Sequence, residues 1–407
     1  MNNKKKYLSI ITGFSHLDST FLTHNLFFEK LSKNFEKIFI INDENLKFFP
    51  QLARLVYRQH RSWKESFKEI SELPDNFVLF DPKDSKDFSK FLQDKTLLVI
   101  NNFNRHLFSI KLHLLLKKHK INQVIISNLG SRGGFDVAYI GHFFRFLFFH
   151  LNQTFSKKLL VLLSNLGIVS KVDIQFISNK EIVERVEKSF LYKKNLLFTK
   201  KLILVNSRTY DIYLEKKIPI SEDYIVHLDA SLDYIHETQL RGLLDEEIKD
   251  RHYYYLEKFL KKLSNEFKKK VLVCIHPSYH LKEHQGYFKD FKVLKYKTRE
   301  CIYKSFLVTN FDSGAIGDAI FLKKKILGFI SEFMTKNEIV HAQNYAKKVG
   351  YLKLNIEKDY LFDKEKILFQ MNKNISNYEK YTANFHCFEA NKSGSDKIIK
   401  IIKDRFF

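Results

Sequence analysis

His276 closes an apolar run, Val271 to Ile275, and is followed at once by Pro277 and Ser278. An imidazole at the end of a buried strand can donate to a phosphate oxygen or release a proton near neutral pH. Pro277 has no N–H for another ladder bond and turns the chain. Further on, Asn310, Phe311, Asp312, Ser313 and Gly314 follow a second apolar run, Leu307–Thr309. The spacing predicts a helix over 314–322, capped by Asp312 or Ser313, whose free N–H groups and dipole favour an anion. Gly314 would let a ligand approach the backbone, and Gly317 would permit tight helix packing. A third group begins at Asp229, just after the predicted strand Tyr224–Leu228, with Asp233, His236 and Glu237 close behind. A carboxylate there could take a proton from a hydroxyl, and two neighbouring carboxylates raise one another's affinity for a proton. Asp233, His236 and Glu237 also have metal-like spacing, but no second cluster completes a site, and no metal is expected.

Such residues need strand ends to hold them. Apolar runs at Leu8–Thr12, Ile38–Ile41, Asn76–Phe80, Leu97–Ile100 and Val124–Ser127 alternate with helical patterns at His24–Asn34 and Leu107–His119. Further runs at Leu202–Val205, Tyr224–Leu228, Val271–Cys274, Leu307–Thr309 and Ile326–Ile330 continue the alternation, with a long helix predicted over Glu246–Lys268. Short, wholly apolar strands separated by helices imply parallel sheets covered on both faces, an α/β class. In such sheets ligands sit beyond the carboxyl ends of the strands. Two loops in the first half would open there: Gly13, Ser15 and His16 after the first strand, and Asn128, Gly130 and Arg132 after the fifth. Neither has a dinucleotide or P-loop pattern, and both read as acceptor-side loops. Lys323–Lys325 read as a solvated turn. Ser395 or Asp396 would cap a basic amphipathic helix over Ser393–Phe407.

The 407 residues exceed one core and predict two domains, 1–200 and 201–390, with 391–407 as a terminal helix. A Phe- and Leu-rich stretch at 138–170 interrupts the alternation, as a buried helical pair or as a hairpin lying in a membrane interface. The formal net charge of +23 favours phosphate-rich partners, and Phe with Lys suits an anionic lipid surface. Lys is scattered, and no nucleic-acid-binding signature is found, so nucleic acid is not an expected partner. Three cysteines without CxxC spacing predict a reducing compartment. No long uncharged apolar run is found and the N-terminus reads as a strand, so the expected location is cytoplasmic, peripheral to the membrane's inner face.

The pairing of His276–Pro277 with Ser313 at a helix start resembles the nucleotide-monophosphate site of bacterial sialyltransferases and polysialyltransferases of the GT-B fold, and of related capsule and lipopolysaccharide transferases. The resemblance covers roughly residues 200–335. It implies two Rossmann-like domains facing a cleft. It further implies a CMP-activated sialic-type or Kdo-type donor, a glycan or glycolipid acceptor, and inverting transfer with no cofactor or metal. His276 would contact the donor phosphate and protonate it as it leaves. Ser313, with Pro277, Ser278, Asn310, Asp312 and Gly314, would line the donor site, and Asp229 or Asp233 would be the base. HLDASLD at 227–233 departs from the family's acidic motif. A GT-B transferase using a UDP- or GDP-sugar, and a basic noncatalytic protein that binds nucleic acid or polysaccharide, are the alternative readings.

Overall fold

The computed structural model describes residues 6–12, 25–46, 73–93, 96–101, 109–127, 158–195, 197–215, 219–229, 246–276, 281–311, 313–334, 336–358 and 363–407. The chain divides into two compact units. One comprises Met1–Leu129, Ile140–Ile212 and Phe388–Phe407, and the other Gly130–Tyr139 and Tyr213–Cys387.

The first unit is built on a parallel sheet of β1 (Lys6–Thr12), β2 (Ile38–Asn42), β3 (Phe77–Phe80), β4 (Thr96–Asn101), β5 (Asn122–Ser127), β6 (Val172–Ile177) and β7 (Thr199–Leu204). Their order is β3-β2-β1-β4-β5-β6-β7. Alternate residues of β1 enter different cores: Leu8 and Ile10 pack with Phe27, Leu31 and Phe176, whereas Ile11 packs with Phe88, Phe91 and Leu116. A strand buried on both faces is apolar at most positions, which is why these runs were legible, although β1 also buries Ser9. Of residues 202–205, expected to open the second sheet, 202–204 instead belong to β7 and pair with β6. β6 itself went unrecognised, because Asp173 and Gln175 interrupt VDIQFI with polar residues.

The C-terminal helix, Gly394–Phe406, packs Ile398, Ile399 and Ile402 into the core of the first unit. Its cap is Ser393, whose Oγ accepts from Asp396 N–H at 3.2 Å, not Ser395 or Asp396. Ser395 is buried instead, where its N–H and hydroxyl both donate to Asp211. Asn206 completes this clasp, donating to the carbonyls of Glu389 and Lys392 and accepting from the N–H groups of Phe388 and Glu389.

The second unit carries a parallel sheet of β8 (Tyr224–Leu228), β9 (Lys270–Cys274), β10 (Lys292–Leu294), β11 (Ser305–Asn310), β12 (Lys325–Ile330) and β13 (Leu352–Asn355). Their order is β10-β9-β8-β11-β12-β13. The helix Glu246–Phe267 covers one face, with Leu256, Phe259, Leu260 and Leu263 against Ile225, Leu307 and Phe329. The short helix Ile316–Phe321 covers the other, against Val226 and Val308. Gly317 is close-packed as expected: a Cβ there would lie 3.4 Å from the His386 ring. Lys323–Lys325 is not simply a solvated turn. Lys324 is buried, and its ammonium donates to the carbonyls of Ser221, Tyr303 and Ser305 at 3.1, 2.8 and 2.8 Å. A buried ammonium requires such partners, and burial lowers its pKa.

Candidate functional site

The winding of the second sheet reverses at β8. Chain order runs outward through β9 and β10 on one side and through β11, β12 and β13 on the other. Where winding reverses, the loops leave to opposite faces and open a crevice beyond the carboxyl ends of the two central strands. β8 and β11 are those strands, with Leu228 directly opposite Asn310.

Three of the residues picked out in the sequence come to this edge. Asp229 follows β8, and its N–H donates to the Cys274 carbonyl at the end of β9, 3.0 Å away. His276 lies just beyond β9 and is exposed. Asn310 ends β11. β9 and β11 flank β8, so their tips stand two strand spacings, about 10 Å, apart.

Ser313 follows β11 and is half-buried, and Gly314 is exposed. Ser313 Oγ accepts from Ala315 N–H at 3.3 Å, and its carbonyl accepts from Ile316 N–H at 3.3 Å. The helix begins only at Ile316, with Ala315 in the cap position. Ser313 therefore closes a turn ahead of the helix and does not cap it, because its hydroxyl is taken by the N–H two residues on. Asp233, Pro277, Ser278, Asp312, Gly13, Ser15, His16, Asn128, Gly130 and Arg132 lie outside the described residues. The two loops expected on the acceptor side follow the ends of β1 at Thr12 and β5 at Ser127.

Asn310 is fully buried, and neither atom of its carboxamide has a hydrogen-bond partner. An unpaired buried amide costs roughly 1–3 kcal/mol, and Asn310 could both donate to and accept from a polar ligand atom.

On the face of the helix Glu246–Phe267, the same edge carries a polar cluster that the sequence reading missed. Ile225, His227 and Asp229 share this face by strand alternation. His227 stacks on Phe329 and meets the edge of Phe311, and its Nδ1 lies 3.0 Å from Thr309 Oγ1. His252, on the helix, lies with Nδ1 3.2 Å from Ser331 Oγ. Ser331 donates to Glu357 at 2.5 Å and accepts from Phe333 N–H at 3.2 Å. The single hydroxyl hydrogen of Ser331 is thereby committed to Glu357. The His252 contact must be donated by Nδ1–H, which leaves Nε2 as an acceptor.

Burial lowers the pKa of both His227 and His252 to about 4, with Asp229 pulling each back upward. Both rings are neutral at pH 7. Burial also raises the Glu357 pKa, opposed by its bonds from Ser331 and Glu332. A signal for the cluster was present in the sequence: His227 breaks an otherwise apolar buried strand, and His252 stands one turn before Leu256 on the buried face of its helix.

No protein-family model and no curated relative matches the sequence. The wall teichoic acid polymerase TagF, in a form soaked with CDPG, aligns over 99% of this chain and 88% of its own at 12% identity, with a TM-score of 0.57. TagF without additions aligns over 99% and 89% at 10% identity, TM-score 0.55. The UDP-GlcNAc 2-epimerase of Methanocaldococcus jannaschii aligns over 98% and 100% at 12% identity, with a TM-score of 0.48.

The fold is of the GT-B type. The likeness to TagF is one of fold, and the chemistry of the site described above rests on this chain's own residues. Among them no group of three or more His, Cys, Asp or Glu that could hold a metal ion occurs in the described residues. No helix among the described residues is long and apolar enough to cross a membrane.

Proposed function

We propose that this protein is a glycosyltransferase whose nucleotide-activated donor binds at the carboxyl edge of the second sheet. The observation that carries the reading is the placement of Asp229, His276 and Asn310 at the carboxyl ends of β8, β9 and β11, around the winding reversal. A nucleotide there meets a side chain able to donate to phosphate, a carboxylate, and an amide that can both donate and accept.

The donor we favour is a CMP-activated sialic-type or Kdo-type sugar, on the pairing of His276–Pro277 with Ser313. The acceptor hydroxyl attacks the anomeric carbon as the bond to the phosphate oxygen breaks, inverting that carbon. His276 donates to the departing phosphate, as hydrogen-bond donor or acid, and a carboxylate, Asp229 or Asp233, takes the hydroxyl proton. The acceptor is a surface-polysaccharide or lipopolysaccharide glycan, met at the inner membrane surface. The CDPG soak of TagF, a fold neighbour, is compatible with a cytidine nucleotide in this fold, and a UDP- or GDP-sugar is the competing donor.

The test is calorimetric titration with CMP, UDP and GDP, followed by donor-hydrolysis assays on wild type and His276→Ala. CMP should bind best, and His276→Ala should cut turnover ~10²-fold or more with unchanged melting, because His276 is exposed. A folded His276→Ala protein with wild-type turnover removes its role. Preference for UDP or GDP changes the donor, and no nucleotide binding at all ends the reading.

A further inference from the structure

At the amino ends of β6 and β7 large apolar side chains face water. The helix over 158–165 closes with Gly167 at φ +70°, Gly167 N–H donating to Ser164 and Ile168 N–H to Leu163. This ending projects Leu162, Leu166 and Ile168 outward, just before β6. The helix Phe190–Lys193 presents Phe190 and Leu191 just before β7. Leu166 and Phe190 leave about two-thirds of their surfaces in water, 64% and 66%. The two stretches meet: Lys171 donates to the Asn195 carbonyl, and Val172 N–H to the Phe198 carbonyl at 2.9 Å.

Lysines surround these tips. Lys117 Nζ lies 3.9 Å from where a Cβ would stand on Gly167. Lys194 sits over the Phe190 ring at 5.8 Å, and Lys193 is exposed beside it. Of the acids in this stretch, Asp173 is held by Lys200 at 2.7 Å and Glu184 lies 3.8 Å from Lys180. Glu181 and Glu187 also lie on the helix Lys180–Lys188.

We propose that this corner of the first unit is the surface that docks on an anionic lipid bilayer. Apolar tips ringed by long-stemmed ammonium groups match the two layers of such an interface, acyl chains below and phosphates above. A second copy of the chain fits less well, since a two-fold contact would set these lysines against their own equivalents. The inference deepens the membrane-surface part of the proposed function and is independent of the donor.

The test is co-sedimentation of the full chain with phosphatidylcholine vesicles, with and without 30 mol% phosphatidylglycerol (roughly a bacterial anionic fraction), at low and high salt. Wild type should bind the anionic vesicles and release at high salt. Phe190→Ser with Leu191→Ser should lower the partition coefficient at least ~10-fold without lowering the melting temperature, since both side chains are exposed. Lys193→Ala with Lys194→Ala should lower binding to anionic vesicles alone. Phe369→Ser, at a 70% exposed ring in the second unit, should change nothing. Wild-type binding that both double variants retain overturns this surface while leaving membrane association standing. No wild-type binding overturns both. Self-association abolished by the Phe190 and Leu191 changes would assign the corner to a protein contact instead.

Discussion

His252 Nδ1 stands 3.2 Å from Ser331 Oγ, and that hydroxyl is already spoken for by Glu357. The contact links the helix Glu246–Phe267 to the ends of β12 and β13 and fixes which nitrogen of the ring carries the proton. Ser331→Ala would strand a buried Nδ1–H and deprive the Glu357 carboxylate of one of its two donors, leaving Glu332 N–H. We expect a loss of about 1–3 kcal/mol of stability, read by urea denaturation. A double-mutant cycle with His252→Ala should show coupling of roughly 0.5–3 kcal/mol. A Ser331→Ala protein as stable as wild type, with no coupling, would mean that this hydrogen-bonded chain does not form.

Three buried imidazoles make a pH prediction with a definite sign. Burial lowers His227, His252 and His386 to about 4, against carboxylate attraction from Asp229 for the first two and Asp318 for the third. Between about pH 6.5 and pH 4 the unfolded chain binds protons that the folded chain refuses, so stability rises with pH through that window and falls on acidification. Each ring contributes up to roughly 3 kcal/mol by this route. Thermal melts from pH 7.5 to 4.5 should show a steady decline, and His386→Asn should flatten it. A melting temperature constant over that range would contradict neutral, buried rings.

The α/β plan was legible because doubly buried strands such as β2 are apolar at all but their last position, and because few other patterns produce such runs between helices. The edges of the plan were less so. β13 reads LKLN and is only half-buried along its length, and β10 is three residues long, too short to carry a period. At the candidate site, Asp229, His276 and Asn310 were found because each directly follows or ends an apolar run. His252, Ser331 and Glu357 were not, because their relation is set by strand order: β12 and β13 must lie beyond β11 before their ends can meet a helix that precedes β9. Spacing along the chain does not encode that neighbourhood.

Asn310 separates a binding role from a structural one. With no partner for its carboxamide, Asn310→Ala should change the stability of the ligand-free protein by less than ~1 kcal/mol, since the lost contacts are offset by relief of an unpaired amide. The affinity for the preferred nucleotide should fall ~10-fold or more, as a buried hydrogen-bonding partner is removed. Paired denaturation and calorimetry check both halves. Strong destabilisation with unchanged nucleotide affinity would make Asn310 a framework residue.

Gly394 tests the return of the chain to the first unit. A Cβ at this position would lie 2.1 Å from the Asn206 carbonyl oxygen, closer than any van der Waals contact permits. Backbone is not free to retreat here, because the Asn206 side chain is held by four backbone groups and Gly394 N–H donates to Asp211 at 2.6 Å. Burial raises the Asp211 pKa, while its bonds from Ser395 and Gly394 hold it down, so displacing residue 394 would also leave a buried carboxyl group short of donors. Gly394→Ala should therefore cost more than ~3 kcal/mol and expose the C-terminal helix to limited proteolysis before the rest of the unit. Asp396→Ala, at an exposed side chain paired with Lys30 at 2.8 Å, should cost less than ~1 kcal/mol. Equal effects from the two substitutions would show that the helix is held by its apolar stripe alone and that the close approach at Gly394 contributes nothing.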